Sequence, residues 1–149
     1  MKRWRKFWSF SSAERRLLLE AAAALLKYRI GVRLVPIKRI LERLQVGMGK
    51  ADKDLSELQL ATADQVAWAV NAAGRHLPGN YVCLPRALTA MQLLLRRKIP
   101  CTLCFGAATK EDQLKAHAWL SCGKKILTGE RESRQYPTVA TFAPVANES

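Results

Sequence analysis

Residues 81–128, YVCLPRALTAMQLLLRRKIPCTLCFGAATKEDQLKAHAWLSCGKKILT, decide how the chain folds. In RALTAMQLLLRR, Leu88, Met91, Leu94 and Leu95 recur at the three- and four-residue spacing of one helix face. Pro85 suits a first helical position, where its missing N–H forfeits no intrahelical bond, so Cys83 falls at the helix N-terminus or one residue before it. Beyond Arg97 the pattern changes. KIPCTLCFGA, AHAWLSC and KKILT read as strands, the last two joined by a turn at Cys122-Gly123, and TVATFAP further on adds a fourth. Helices first and a small antiparallel sheet last make an α+β fold.

Upstream the chain reads as helices. Ser11 as N-cap and Glu14 at the N3 position form a capping box for ERRLLLEAAAALLKYRI. Leu and Ala cover so much of that helix's circumference that a well-buried element is expected, wetter along Arg15, Arg16, Glu20 and Lys27 and ending near Gly31. Pro36 opens a short helix through Ile37, Ile40, Leu41 and Leu44, and QVGMGKADKDL reads as a loop. Thr62 and Gln65 offer a capping box for ADQVAWAVNAA, with Val66, Trp68 and Val70 for packing and Gly74 as its stop. RHLPGNYV then leads irregularly to Cys83. The opening KRWRKFWSF carries Trp4, Phe7, Trp8 and Phe10, aromatics that need a partner surface. With 149 residues the chain has room for one domain, 1–149, with a basic, mostly helical part at 1–75 and a catalytic helix-plus-sheet core at 80–145.

Charge is uneven. Twenty-five Lys and Arg against 12 Asp and Glu give +13, and residues 1–50 hold 13 basic against three acidic, so +10 lies in the first third. Such a field draws acidic partners without naming them. The longest apolar run near the start, Ala21 to Leu26, is six residues between Glu20 and Lys27, too short to span a membrane. No small-residue cleavage signal follows, so a cytoplasmic protein is expected. Four cysteines, Cys83, Cys101, Cys104 and Cys122, come late and do not resemble a secreted disulfide framework.

Cys83 at a helix start is favourably placed for a thiolate, because the first-turn N–H groups and the helix dipole face it. His117 in the AHAW strand, flanked by small Ala116 and Ala118, can complete a thiolate–imidazolium pair that attacks a carbonyl and protonates a leaving amine. First-turn N–H groups can hold the oxyanion. The same residue types also fit a buried small thiol and a hydrogen-bonded structural histidine. His76, in the loop-like RHLPG, is a second and less supported base. Cys101 and Cys104 with Cys122 and His117 make a nominal Cys3His zinc set, but residues three apart on a straight strand point to opposite faces. There is no Walker A loop, dinucleotide fingerprint or HExxH motif.

With the Cys–His pair in view, NYVCLPRALTAMQLLLRRKIPCTLCFG and LKAHAWLSCGKKILTG resemble the stand-alone transglutaminase-like leader peptidases of lasso-peptide biosynthesis. The resemblance implies a transglutaminase-like, papain-like cysteine peptidase core with Cys83 as nucleophile and His117 as general base. It implies no cofactor and no metal. The family usually adds an aspartate about a dozen residues after the histidine; KKILTGERES has none there. Gly129 falls near the place, Glu130 beside it is the expected orienter, Glu132 lies slightly beyond, and Asp112 is the poorer candidate. The implied activity is removal of the leader from a lasso precursor, freeing the core amine for macrocyclisation. The implied partners are the precursor, a separate leader-recognition protein and the ATP-dependent macrocyclase, with no nucleic acid and no membrane span. Two other readings stay open: a transglutaminase-like acyltransferase, and a non-enzymatic basic module binding nucleic acid or a partner, for which no recognition motif is present.

Overall fold

A computed structural model describes residues 8–51, 54–76 and 83–144. Its helices are α1 (Ser12–Leu34), α2 (Ile37–Arg43), α3 (Glu57–His76), α4 (Cys83–Arg96) and α5 (Glu130–Gln135). Its strands are β1 (Val46–Met48), β2 (Thr102–Lys110), β3 (Gln113–Cys122), β4 (Lys125–Thr128) and β5 (Thr138–Pro144). They join in the order β1-β5-β2-β3-β4, every neighbouring pair antiparallel. The arrangement is α+β, with helices leading and a small antiparallel sheet following, as the sequence patterns require.

The α1 capping box forms as expected: Glu14 N–H donates to Ser11 Oγ at 3.1 Å and Ser11 N–H to Glu14 Oε1 at 3.2 Å. Leu25 and Tyr28 of α1, Val66 and Val70 of α3, and Leu88 and Met91 of α4 pack in one buried cluster with Leu103 and Leu120 of the sheet. Burying side chains of this size contributes about 1.5–3 kcal/mol each. The β2–β3 hairpin turns through Glu111 and Asp112, both at positive φ (52° and 62°), between the paired Lys110 and Gln113. That is the two-residue turn whose twist matches the strands. Of the opening aromatics, Phe10 stands edge-on to Trp68 with centroids 5.2 Å apart, and Arg15 lies over the Trp8 ring. Trp4 and Phe7 lie outside the described residues.

Several expectations need correction. Helix α1 is not well buried: Leu19, Ile30 and Leu34 are 60%, 58% and 77% exposed, because only the Ala21–Leu25–Tyr28 side meets α3 and α4. It also runs past Gly31 to Leu34. Within QVGMGKADKDL, Val46–Met48 is a strand rather than a loop, pairing with Phe142, Ala143 and Pro144 at the sheet edge. Helix α3 begins at Glu57, not after Thr62; its capping box is Ser56 with Gln59, at 3.1 and 2.9 Å. Thr62 sits inside that helix, its hydroxyl donating to the Leu58 carbonyl at 2.9 Å. Gly74 does not stop the helix, which reaches His76. Pro85 is the third residue of α4 rather than the first, still within the turn whose N–H groups have no helical acceptor. The irregular approach at 77–82 lies outside the described residues.

Candidate active site

The site is built where α4 meets an uncovered stretch of strand edge. Strand β4 pairs with β3 only from Leu120 to Cys122; at Gly129 the chain leaves the sheet for α5. Just beyond that point the Ala118 N–H would lack a partner. Cys83, the first residue of α4, supplies one: its Sγ accepts the Ala118 N–H at 3.1 Å. The same sulfur lies 3.5 Å from His117 Nδ1, within hydrogen-bond range for sulfur. Cys83 is half-buried, so the sulfur is neither sealed in the core nor free in solvent. The helix and the strand thus bring together the two residues singled out by sequence, which are 34 positions apart.

His117 shares one face of β3 with Trp119, and the face is aromatic. Trp119 and Tyr136 are buried there with Cys104. Tyr136 stands against the imidazole, ring centroids 4.5 Å apart and planes inclined at 42°. Gly106, the cross-strand partner of His117, makes this possible: a Cβ on it would lie 2.6 Å from two Trp119 ring carbons and 3.0 Å from Tyr136 Cβ. Sequence reasoning missed Tyr136. The only signal is register: Gly106 pairs with His117 on one side and with Thr138 on the other, so the residues just before Thr138 must pass close to the histidine.

The carboxylates fall elsewhere. Glu130 opens α5 with its side chain 64% exposed, and its Oε1 accepts a bond from Arg134 at 2.9 Å. Asp112 lies in the hairpin turn five residues before His117, about 17 Å away along an extended strand. The side chains of Glu132 and His76 lie outside the described residues. Gly129, near the position where a carboxylate would be expected, has φ +73°, and a Cβ there would stand 2.7 Å from Trp119 Cβ and 3.1 Å from the Ala118 carbonyl oxygen. This backbone does not admit a side chain at 129.

The remaining cysteines divide between the two faces of the sheet. Cys101 and Cys122 belong to the main core and Cys104 to the Trp119–Tyr136 cluster. Burial pushes the Cys101 and Cys104 thiols up and that of Cys122 to about 11. Cys122 donates its proton to the Pro100 carbonyl at 3.3 Å. These three are packed thiols, while Cys83 alone has an imidazole beside it.

The geometry permits one sequence of events: proton transfer between Sγ and Nδ1, attack by sulfur on an electrophilic carbon, and return of the proton to a leaving group. The amide of Ala118 stays hydrogen-bonded to the sulfur, and the N–H of Leu84 in the first turn of α4 has no helical acceptor. Comparison with known proteins bears on the same region. Residues 24–141, which hold both Cys83 and His117, match the family model described as the transglutaminase-like superfamily. No curated protein and no solved structure matches the chain.

Proposed function

This chain belongs to the transglutaminase-like family associated with lasso-peptide biosynthesis proteins, and from that premise we propose that it is a cysteine peptidase removing the leader from a lasso-peptide precursor. The observation that carries the reading is the approach of Cys83 Sγ to His117 Nδ1 at 3.5 Å at the start of a helix. A papain-like core is the finer reading we attach to the fold, supported by Cys83 on a helix packed against the sheet that carries His117. Residues 1–149 act as one domain, the helical 1–75 part backing the 80–145 core.

In the proposed reaction His117 takes the Cys83 proton, and sulfur adds to the carbonyl at the end of the leader. The oxyanion is met by first-turn N–H groups of α4; Pro85 contributes none. His117 then gives its proton to the departing amine of the core peptide, leaving the leader as a thioester on Cys83. Water, deprotonated by the same imidazole, releases the leader carboxylate. The freed amine is what a macrocyclase needs. The family pattern calls for an aspartate near 129, and Glu130, beside that place, is the carboxylate proposed to orient His117. Its Oε1 is paired with Arg134, an exposed i,i+4 contact worth only about 0.3–0.5 kcal/mol, which does little to keep the carboxylate from His117. The basic first third would dock acidic surfaces of the precursor, the leader-recognition protein or the macrocyclase, an attraction that weakens with salt. Among the described residues no helix is long and apolar enough to cross a membrane.

The test is mass spectrometry of a lasso precursor encoded beside this protein, incubated with it and the leader-recognition protein. Cleavage at the leader–core junction is expected, with no detectable product from Cys83→Ala. Cleavage retained by a folded Cys83→Ala refutes the peptidase reading. A primary amine added to the same reaction separates the acyltransferase alternative: incorporation of that amine into the leader in preference to hydrolysis would replace peptidase by transferase.

A further inference from the structure

Among the described residues His117 has one hydrogen-bonding partner, Cys83, through Nδ1. Among the same described residues no group bonded to Nε2 fixes the ring's orientation or balances the charge it acquires as imidazolium. A hydrogen-bonded carboxylate ordinarily does both. Here Glu130 is bonded to Arg134, and Gly129 cannot carry a side chain without displacing Trp119. The group that does stand against the imidazole is Tyr136, 6% exposed, its centroid 4.5 Å from that of the imidazole.

We propose that Tyr136 is the positioning residue of the Cys83–His117 pair, its ring fixing the imidazole's orientation and its π face stabilising the imidazolium. The proposal rests on the cysteine-peptidase reading above. An aromatic face attracts a cation within about 6 Å of its centroid, more strongly when water is excluded. Tyr136 meets the first condition, and its ring is buried while the imidazole is half-buried. Its own placement is fixed from two sides. Gly106 beneath it leaves no Cβ to push it away, and Pro137 holds the chain extended into β5. Among the described residues the titratable neighbours that bear on the pair are the Cys83 thiol from α4, the Tyr136 hydroxyl, and Lys110 from β2, whose Nζ lies 4.5 Å over the Tyr136 ring. Glu130 of α5 is turned to Arg134. Contact with the ring, not the hydroxyl, is therefore what positions the histidine, and phenylalanine should replace tyrosine where an aliphatic residue cannot.

The experiment is alkylation of Cys83 by iodoacetamide, followed by peptide mass spectrometry from pH 5 to 8. It compares wild type, His117→Ala, Tyr136→Phe and Tyr136→Leu, with thermal melts as folding controls. Sulfur displaces iodide while the imidazolium keeps its proton, so the rate at pH 6 reads the ion pair directly. Wild type should react there at least 10-fold faster than His117→Ala, Tyr136→Phe within about twofold of wild type, and Tyr136→Leu about 10-fold slower. A folded Tyr136→Leu that follows the wild-type pH profile overturns the proposal and leaves the Cys–His reading standing. Wild type no faster than His117→Ala refutes the Cys–His reading itself. Should Tyr136→Leu not fold, proton NMR of the wild type decides. The carbon-bound imidazole protons of His117, assigned with His117→Gln, should be displaced upfield by the Tyr136 ring, and unshielded positions overturn the proposal.

Discussion

Replacing Gly106 by alanine tests the packing on which the site stands. The glycine has an ordinary φ, so the added methyl brings no backbone strain; the whole effect comes from space. That space is occupied. The new Cβ would lie 2.6 Å from two ring carbons of Trp119, where ordinary carbon contacts are about 3.5–4.0 Å. The indole must therefore retreat by about 1 Å, and it is 4% exposed with Cys104 and Tyr136 behind it. The third contact, 3.0 Å to Tyr136 Cβ, is at the root of a side chain, which swings less easily than a tip. Overpacking of this kind costs about 1–3 kcal/mol, against which Gly-to-Ala in a strand returns about 0.5–1 kcal/mol of backbone entropy. Mid-range values leave a net loss of about 1 kcal/mol, a fall in Tm of about 2–4 °C for a chain of this length. Because the methyl faces Tyr136 as well, Cys83 alkylation at pH 6 should slow together with the melting shift. Differential scanning calorimetry with the alkylation rate gives both. A Gly106→Ala protein that melts at or above the wild-type temperature would show that the close approach of Trp119 to β2 is not real, and the aromatic wall around His117 would go with it.

Two further outcomes follow from buried and paired groups. Glu20 accepts bonds from Arg97 at 3.0 Å and Arg96 at 3.3 Å, and the Arg97 hydrogen bond, more than any other cause, lowers its carboxyl below the ordinary 4.5. A depressed carboxyl stabilises the fold at neutral pH and loses that contribution as pH falls below its ordinary value. Urea midpoints of wild type and Glu20→Gln should therefore differ at pH 7, begin to approach each other below about pH 4.5 and converge only once pH falls through the lowered native value, and a pH-independent difference would contradict the pairing. Native protein should take up one iodoacetamide at neutral pH, on Cys83, and all four cysteines should react after unfolding, since Cys101, Cys104 and Cys122 are buried with raised thiols. Native labelling of any of those three, read by peptide mass spectrometry, would refute the assigned core.

What the sequence made legible was local. The strand character of KIPCTLCFGA and AHAWLSC, the capping residue Ser11 and the apolar spacing of α4 each act within a few residues, and each implies an element that forms, although β2 starts only at Thr102 and runs on to Lys110 and β3 starts already at Gln113. What stayed hidden was set by distant partners. Val46 becomes a strand residue because Pro144 lies opposite it, and nothing in QVGMGK carries that information. Helix α1 was over-read for the converse reason: an apolar circumference shows which surfaces can be buried, not how many neighbours arrive to bury them. Helices α3 and α4 cover one side of it, and Leu34 stays 77% exposed. In the candidate site Cys83 and His117 were recognisable by chemistry and by family pattern. Tyr136 was not, because its tie to His117 runs through the register of three strands.

The absence of an aspartate beside the histidine then has a structural reason. Gly129 is where the chain quits the sheet, at φ +73°, with the Ala118 carbonyl and Trp119 pressed against the place a Cβ would take. A residue with a side chain there would hold the chain away from β3. The exit at Gly129 also ends β4 before it reaches Ala118, and so leaves the N–H that Cys83 occupies. The exit that leaves no room for a side chain at 129 thus also opens the strand edge for Cys83. From Glu130 the chain returns through α5 to Tyr136, so the turn that bars a side chain at 129 brings the Tyr136 ring against the imidazole, where the proposed positioning role would be exercised.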